Sequence, residues 1–208
     1  MTKIFIIDTD CFLDRQLFDA YFEQMPQARQ EKIRSYSHAS DKRLSLGAGV
    51  AVAKALSDFG VAETALHYDE RGKPILPSLP WHISVSHSGH FAAVAVSDEE
   101  VGLDIERVAR VSKSVVERVT TRSEQSQMKS TRDFFRLWTA KEAVLKITGD
   151  GISGSMQKID LALTESKIAI NSAPISHDYT FREFDITGYC LTVCHKGDEA
   201  TIEEIKIK

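Results

Sequence analysis

Two periods of apolar and polar positions alternate along this chain. KIFIIDT at the start reads as a first strand. From residue 14 to 36 the pattern turns helical, interrupted near Pro26. SDKRLSLGAGVAVAKALSDFG predicts a long helix, with Ser40 or Asp41 to cap its start and Gly60 to close it. TALHYD is a short strand and ERGKP a turn. Alternation with period two then appears in HISVSHS, followed by a tight GH turn, FAAVAVS, a DEE turn and VGLDIERV, which together predict a three-strand meander. Residues 112–148 read as helical, and from about 157 the chain returns to short strands, KIDLAL, KIAI, YTFREFD, YCLTVCH and TIEEIKI.

Helices followed by strands occur twice, with no Pro/Gly/Ser-rich linker between. The expected fold class is α+β: two similar lobes, 1–106 and 107–208, in a pseudo-twofold arrangement, each with helices on a small, mainly antiparallel sheet. A chain of 208 residues can bury a real core in either one or two units. Composition adds exclusions. No apolar run approaches the roughly 18 residues of a membrane helix. MTKIFIIDTDCFLD is too poor in basic residues, and its apolar stretch too short, to read as a secretory signal. Cys11, Cys190 and Cys194 form neither a disulfide set nor a metal-ligand spacing, and a reducing cytoplasm suits them. The net charge of −4 argues against nucleic-acid binding, so an anionic ligand would need a local basic patch. ARQEKIRSYSHASDKR supplies Arg29, Lys32, Arg34, Lys42 and Arg43, although the same run also suits a solvated helix face.

Three stretches carry more chemistry than a core requires. In WHISVSHSGH, Trp81, Ile83 and Val85 alternate as a half-buried strand should, then run into Ser86, His87, Ser88, Gly89 and His90. In VGLDIERV, Leu103 and Ile105 point one way and Asp104 and Glu106 the other. Two carboxylates about 6–7 Å apart along a strand face can share a hard divalent cation, and also suit an exposed strand edge. Gly102 permits close backbone approach beside them. In RDFFRLWTAKEAVLKI, Phe134, Leu137, Trp138, Val144 and Leu145 form an apolar stripe, with Phe135, Glu142 and Lys146 on its shoulder. Glu142 and Lys146 are i, i+4 neighbours, either a surface ion pair or half-covered charges that want defined partners. Lys141 falls within the stripe, where its stem can lie along apolar surface with the ammonium in water.

GKPILP, ISVSHSG, VGLDIE and LWTAKEAVLK, in this order and at these separations, resemble the 4′-phosphopantetheinyl transferases, in particular the long, two-lobed class. The resemblance spans residues from about 30 to 155. It implies transfer of the 4′-phosphopantetheine of coenzyme A to a serine hydroxyl of an apo acyl or peptidyl carrier protein, releasing adenosine 3′,5′-bisphosphate. It implies a Mg²⁺ site at Asp104, Glu106 and Glu142, and coenzyme contacts at Lys32, Arg43, Lys73, Ser86, His87 and Lys146, with His87 at the 3′-phosphate. Glu142, Lys146 and His87 take the catalytic roles, with Glu142 as metal ligand, base or both. The serines and His87 at the hairpin tip are then phosphate receivers, while His90 reads as a turn residue. The implied protein is a cytoplasmic monomer with its active site between the lobes and neither membrane nor nucleic acid as partner. The same acids and bases would also serve a Mg²⁺-dependent pyrophosphate phosphodiesterase acting on a nucleotide cofactor, which needs no carrier protein.

Overall fold

The computed structural model describes residues 1–149, 156–197 and 199–207; residues 150–155, the last of the stretch that carries the resemblance, lie outside them. In chain order the elements are β1 (Thr2–Asp8), α1 (Arg15–Glu23), α2 (Gln27–Ser35), α3 (Ala39–Asp58), β2 (His67–Tyr68), β3 (Pro74–Ile75), β4 (His82–Ser88), β5 (Phe91–Ser97), β6 (Gly102–Arg107), α4 (Lys113–Val119), α5 (Arg122–Gln127), α6 (Thr131–Thr148), β7 (Asp160–Leu163), β8 (Ile168–Ser172), β9 (Tyr179–Ile186), β10 (Tyr189–Lys196) and β11 (Ala200–Glu204). The fold is α+β with small, mainly antiparallel sheets, as expected. None of the described helices is long and apolar enough to cross a membrane.

Two sheets organise the molecule. One has the order β11-β1-β5-β4 and the other β6-β10-β9. Alternation along the strands decides what each face meets. Phe5 and Ile7 of β1, with Val94 and Val96 of β5, pack with Leu46, Val52 and Leu56 of α3. Their neighbours Ile4, Ile6, Ala93 and Ala95 face the other way and pack with Leu103, Ile105, Leu191 and Val193 of the second sheet. The far face of that sheet carries α6, whose Phe134, Leu137, Ala140 and Val144 share a core with Cys194 of β10. The layers therefore run α3, first sheet, second sheet, α6.

The strands do not keep to the halves of the chain in which they lie. β6 pairs antiparallel with β10, and β11 pairs parallel with β1. The expected meander stops after β4 and β5, which pair with each other. β6 leaves that sheet because Leu103 and Ile105 belong to the core between the sheets. The long helix α3 also differs in detail: its N-cap is His38 with no side-chain cap, so Ser40 and Asp41 lie inside the first turn. α6 is better bounded. Ser130 and Asp133 form a capping box at its start, and Gly149 closes it in the left-handed region at φ 74°.

Lys141 is fully buried rather than reaching to water. Its Nζ donates to Glu124 Oε2 at 2.7 Å, to Val119 O at 2.9 Å and to Met156 O at 3.0 Å, which uses all three ammonium protons. Glu124 in turn accepts from Thr121 N and Leu161 N. A charge on an apolar stripe is tolerated here because it is paired and every proton is received. Burial still presses the Lys141 pKa below its ordinary value.

Gly102 sets how closely α6 lies over β6. A Cβ there would stand 1.8 Å from Ala143 O of the helix. Gly102→Ala is expected to destabilise the fold by about 1–3 kcal/mol or more, as overpacking does. A melting temperature equal to wild type by thermal denaturation would refute this close approach.

Candidate active site

The site begins where β4, the edge of one sheet, meets β6, the edge of the other. Ser84, Ser86 and Ser88 alternate along β4 and so share a face. Their hydroxyls accept the backbone N–H groups of Leu103 at 3.0 Å, Ile105 at 3.3 Å and Arg107 at 3.1 Å. Side chains thus take the place of a backbone ladder. Two of these serines also aim the carboxylates. Ser86 Oγ donates to Asp104 Oδ1 at 2.7 Å, and Ser88 Oγ donates to Glu106 Oε2 at 2.6 Å. Each serine has one proton to give. The Ser86 and Ser88 protons go to carboxylates here, which orients both acids.

Leu103 and Ile105 face the core between the sheets, which turns Asp104 and Glu106 towards α6. α6 brings Glu142 and Lys146 to the same place. Lys146 Nζ donates to Asp104 Oδ1 at 2.8 Å and to Leu103 O at 2.7 Å. Of the two readings of the helix shoulder, Lys146 follows the second, with a defined partner on the strand. Asp104 is 4% exposed and Glu142 7%. Asp104 Oδ2 and Glu142 Oε1 are buried with no hydrogen-bond partner. Burial, and then the Asp104 carboxylate, push the Glu142 pKa up to about 7. Burial also raises Glu106, against the Ser88 hydrogen bond that favours its charged form.

Three crowded acids with two unpartnered buried oxygens form an electrostatically unfavourable cluster that a cation would relieve. Among the described residues no group of three or more His, Cys, Asp or Glu stands as a ready-made metal cage. Mg²⁺ does not require one, since it takes one or two carboxylates and completes its shell with water and phosphate oxygens. The donor set therefore fits a hard divalent cation that arrives with a phosphate ligand.

A cavity of about 340 Å³ adjoins the cluster, and Arg29, Lys32, Tyr36, Ser86, His87 and Lys146 are among the residues that line it. His87 is surface-exposed, yet partial burial, and then the nearby Lys146, hold its pKa below the ordinary value. Burial and Arg29 do the same to Lys32. The cavity gathers positive groups in a chain of net charge −4. Two further residues singled out in the sequence are not among those that line this cavity. Lys73 lines a different cavity and donates through Nζ to Ile147 O at 3.2 Å, while Arg71 bonds Gly149 O, so this turn caps the C-terminus of α6. Arg43 stands on α3 with its Nε buried and without a hydrogen-bond partner. His90 is held by Tyr189, whose hydroxyl lies 3.2 Å from His90 N and 3.0 Å from Nδ1. Tyr36 has no spacing that would have marked it. The period-two serines of β4 did offer a signal, since three hydroxyls on one strand face need a partner surface.

Residues 100–194 match the model of the 4′-phosphopantetheinyl transferase superfamily. That stretch holds Asp104, Glu106, Glu142 and Lys146. The chain is 28% identical over 204 residues to the 4′-phosphopantetheinyl transferase ffp of Bacillus subtilis, covering 92% of this chain and 91% of the relative. It is 33% identical over 158 residues to the 4′-phosphopantetheinyl transferase AcpT of Salmonella typhi, covering 71% of this chain and 74% of the relative. The holo-[acyl-carrier-protein] synthase of Thermotoga maritima matches at 18% identity with a TM-score of 0.38, over 46% of this chain and 61% of that one.

The raised Glu142 pKa has a sign that stability can read. Between its ordinary 4.5 and about 7, the unfolded chain gives up this proton before the folded one does. Stability of the metal-free protein therefore falls as pH rises through that window and levels off above it. Glu142→Gln removes the contribution. In excess chelator at pH 8 the variant is expected to be more stable than wild type by on the order of 2 kcal/mol, with the gap closing by pH 4.5. An offset that is the same at both pH values would contradict the crowding of Glu142.

Proposed function

The chain belongs to the 4′-phosphopantetheinyl transferase superfamily, and from that premise we propose that it transfers the 4′-phosphopantetheine of coenzyme A to a serine hydroxyl of an apo acyl or peptidyl carrier protein. The observation that supports this best is the junction of two opposite charge clusters. Buried carboxylates with unpartnered oxygens at Asp104 and Glu142 adjoin a cavity that carries Lys32, His87 and Lys146. A pyrophosphate ester bound with a divalent cation satisfies both.

In the reaction the carrier serine oxygen attacks the coenzyme phosphorus that bears the pantetheine arm. A new P–O bond forms and the bond to the bridging oxygen of the pyrophosphate breaks. Adenosine 3′,5′-bisphosphate leaves with that electron pair. The serine proton goes to Glu142, a carboxylate of the same cluster with one oxygen that no protein group engages. Lys146, tied to Asp104 and lining the cavity, adds positive charge where the leaving phosphate gains negative charge. His87 and Lys32 hold the coenzyme's 3′-phosphate by charge and hydrogen bonding. Asp104, Glu106 and Glu142 would hold Mg²⁺, which supplies charge neutralisation at the pyrophosphate when bound. Ser86 acts through Asp104, by orienting it.

Incubation with coenzyme A, Mg²⁺ and a panel of apo carrier proteins, read by intact mass, tests the proposal. A mass gain of one phosphopantetheine on a carrier is expected, lost in Asp104→Ala while that variant still melts cooperatively. No gain on any carrier, together with bisphosphate release in their absence, would assign hydrolysis instead.

A further inference from the structure

Between Leu66 and Leu76 the chain leaves the body of the protein and returns. Leu66 packs against the core that α3 shares with the first sheet, and Leu76 is buried in that core. The residues between them form the β2–β3 hairpin, which is well made within itself. β2 and β3 pair antiparallel. Asp69 Oδ1 accepts from Arg71 N at 2.9 Å and from Lys73 N at 2.8 Å. Gly72 turns the chain at φ 80°, where a side chain would be strained. The attachments of the hairpin are of another kind. Among the described residues, the hydrogen bonds that leave it run through side-chain tips. Arg29 Nη2 donates to the Tyr68 hydroxyl at 2.6 Å, Lys73 Nζ donates to Ile147 O at 3.2 Å, and Arg71 donates to Gly149 O. His67 and Tyr68 are both exposed. A segment that is firm inside, held by exposed bonds and anchored at both ends opens as a unit at low cost.

One of these bonds lies where a ligand would pass. The cavity of about 340 Å³ that adjoins the carboxylates and a second one of about 600 Å³ share Arg29, Lys32, Tyr68 and Gly72 on their walls. The second is floored by apolar groups, Met25, Val52 and Leu66 among them. Tyr68 and Gly72 belong to the hairpin and Arg29 and Lys32 to α2, so the two cavities meet where hairpin and helix face each other. The Arg29–Tyr68 hydrogen bond closes that meeting point. Its acceptor is a neutral hydroxyl, which holds a guanidinium less firmly than a carboxylate does.

We infer that the β2–β3 hairpin is a strap, latched to α2 by the Arg29–Tyr68 hydrogen bond, which swings about Leu66 and Leu76 to let coenzyme A enter and adenosine 3′,5′-bisphosphate leave. This rests on the reading that the cavity beside the carboxylates takes the coenzyme. With the latch open the two cavities form one trough, and with it closed the strap covers what has entered. Tyr68 then sets the speed of exchange and not its equilibrium, because the bond broken for passage is made again once the ligand is in.

Coenzyme A with a fluorescent dye on its thiol, followed by stopped-flow anisotropy on mixing and on chase with unlabelled coenzyme A, tests this in wild type and Tyr68→Phe. Association and dissociation are both expected to quicken in the variant by about three-fold or more, as one net hydrogen bond leaves the barrier. The affinity should stay within about two-fold of wild type. Hydrogen exchange of the ligand-free proteins is the second measurement. Residues 67–75 should exchange faster in the variant, while peptides from α3 and α6 and the melting temperature match wild type. Faster dissociation with unchanged association, and so weaker affinity, would make Tyr68 a ligand contact and overturn the strap. Unchanged rates, or residues 67–75 that exchange as slowly as α3 in wild type, would overturn it and leave the coenzyme reading standing. Wild type that does not bind the labelled coenzyme removes that reading, and the strap with it.

Discussion

Hydrogen bonds from the backbone of β6 to the hydroxyls of Ser84, Ser86 and Ser88 hold the two sheets edge to edge. This seam governs both the stacking of the sheets and the aim of the acids. A backbone ladder between β4 and β6 would have made one continuous sheet. Hydroxyl acceptors instead let β6 join β10, so that the two sheets stack. Side-chain acceptors also bring one feature a ladder lacks, because a serine that accepts an N–H can donate its own proton onwards. Ser86 and Ser88 pass theirs to Asp104 and Glu106. The contact that joins the sheets is therefore also the contact that aims the carboxylates.

The rest of the site is set by the pleat. With Leu103 and Ile105 committed to the core between the sheets, Asp104 and Glu106 face α6. Gly102 lets that helix come close, and Lys146 meets Asp104. Glu142 is then drawn into a buried acidic neighbourhood without a hydrogen bond to one of its oxygens. Such a cluster lowers the stability of the isolated protein and is retained where a bound charge offsets it. Lys141, the residue before Glu142, shows the opposite solution on the same helix, a buried charge with every proton received.

Much of this is legible in the residues. The period-two pattern of VGLDIERV puts Asp104 and Glu106 on the face opposite the core, and the stripe in RDFFRLWTAKEAVLKI puts Glu142 and Lys146 at its shoulder. Gly102 reads as a point of close approach, although its partner, Ala143 O, lies 41 positions away and local spacing cannot name it. The points where pattern and structure part share that cause. Lys141 reads as reaching water because its receivers, Glu124, Val119 and Met156, come from three separate segments. That Ser86 and Ser88 donate to Asp104 and Glu106 is not legible locally, because those acids stand on another strand. The third strand of the meander leaves its sheet because its backbone finds β10, over 80 positions on, while the hydroxyls of β4 hold its other edge.

We propose that Ser86, which donates to Asp104 Oδ1 at 2.7 Å, acts by orienting that acid, and on this the assembly of the site turns. Coenzyme A affinity measured with and without Mg²⁺ tests it most directly. Wild type should bind more tightly when Mg²⁺ is present. Ser86→Ala should lose most of that Mg²⁺-dependent gain, as Asp104→Ala does, while its metal-free affinity stays within about two-fold of wild type, a difference well under 1 kcal/mol. A Ser86→Ala protein that keeps the full Mg²⁺ gain but binds coenzyme A ten-fold more weakly without metal would contradict this role and return Ser86 to the phosphate.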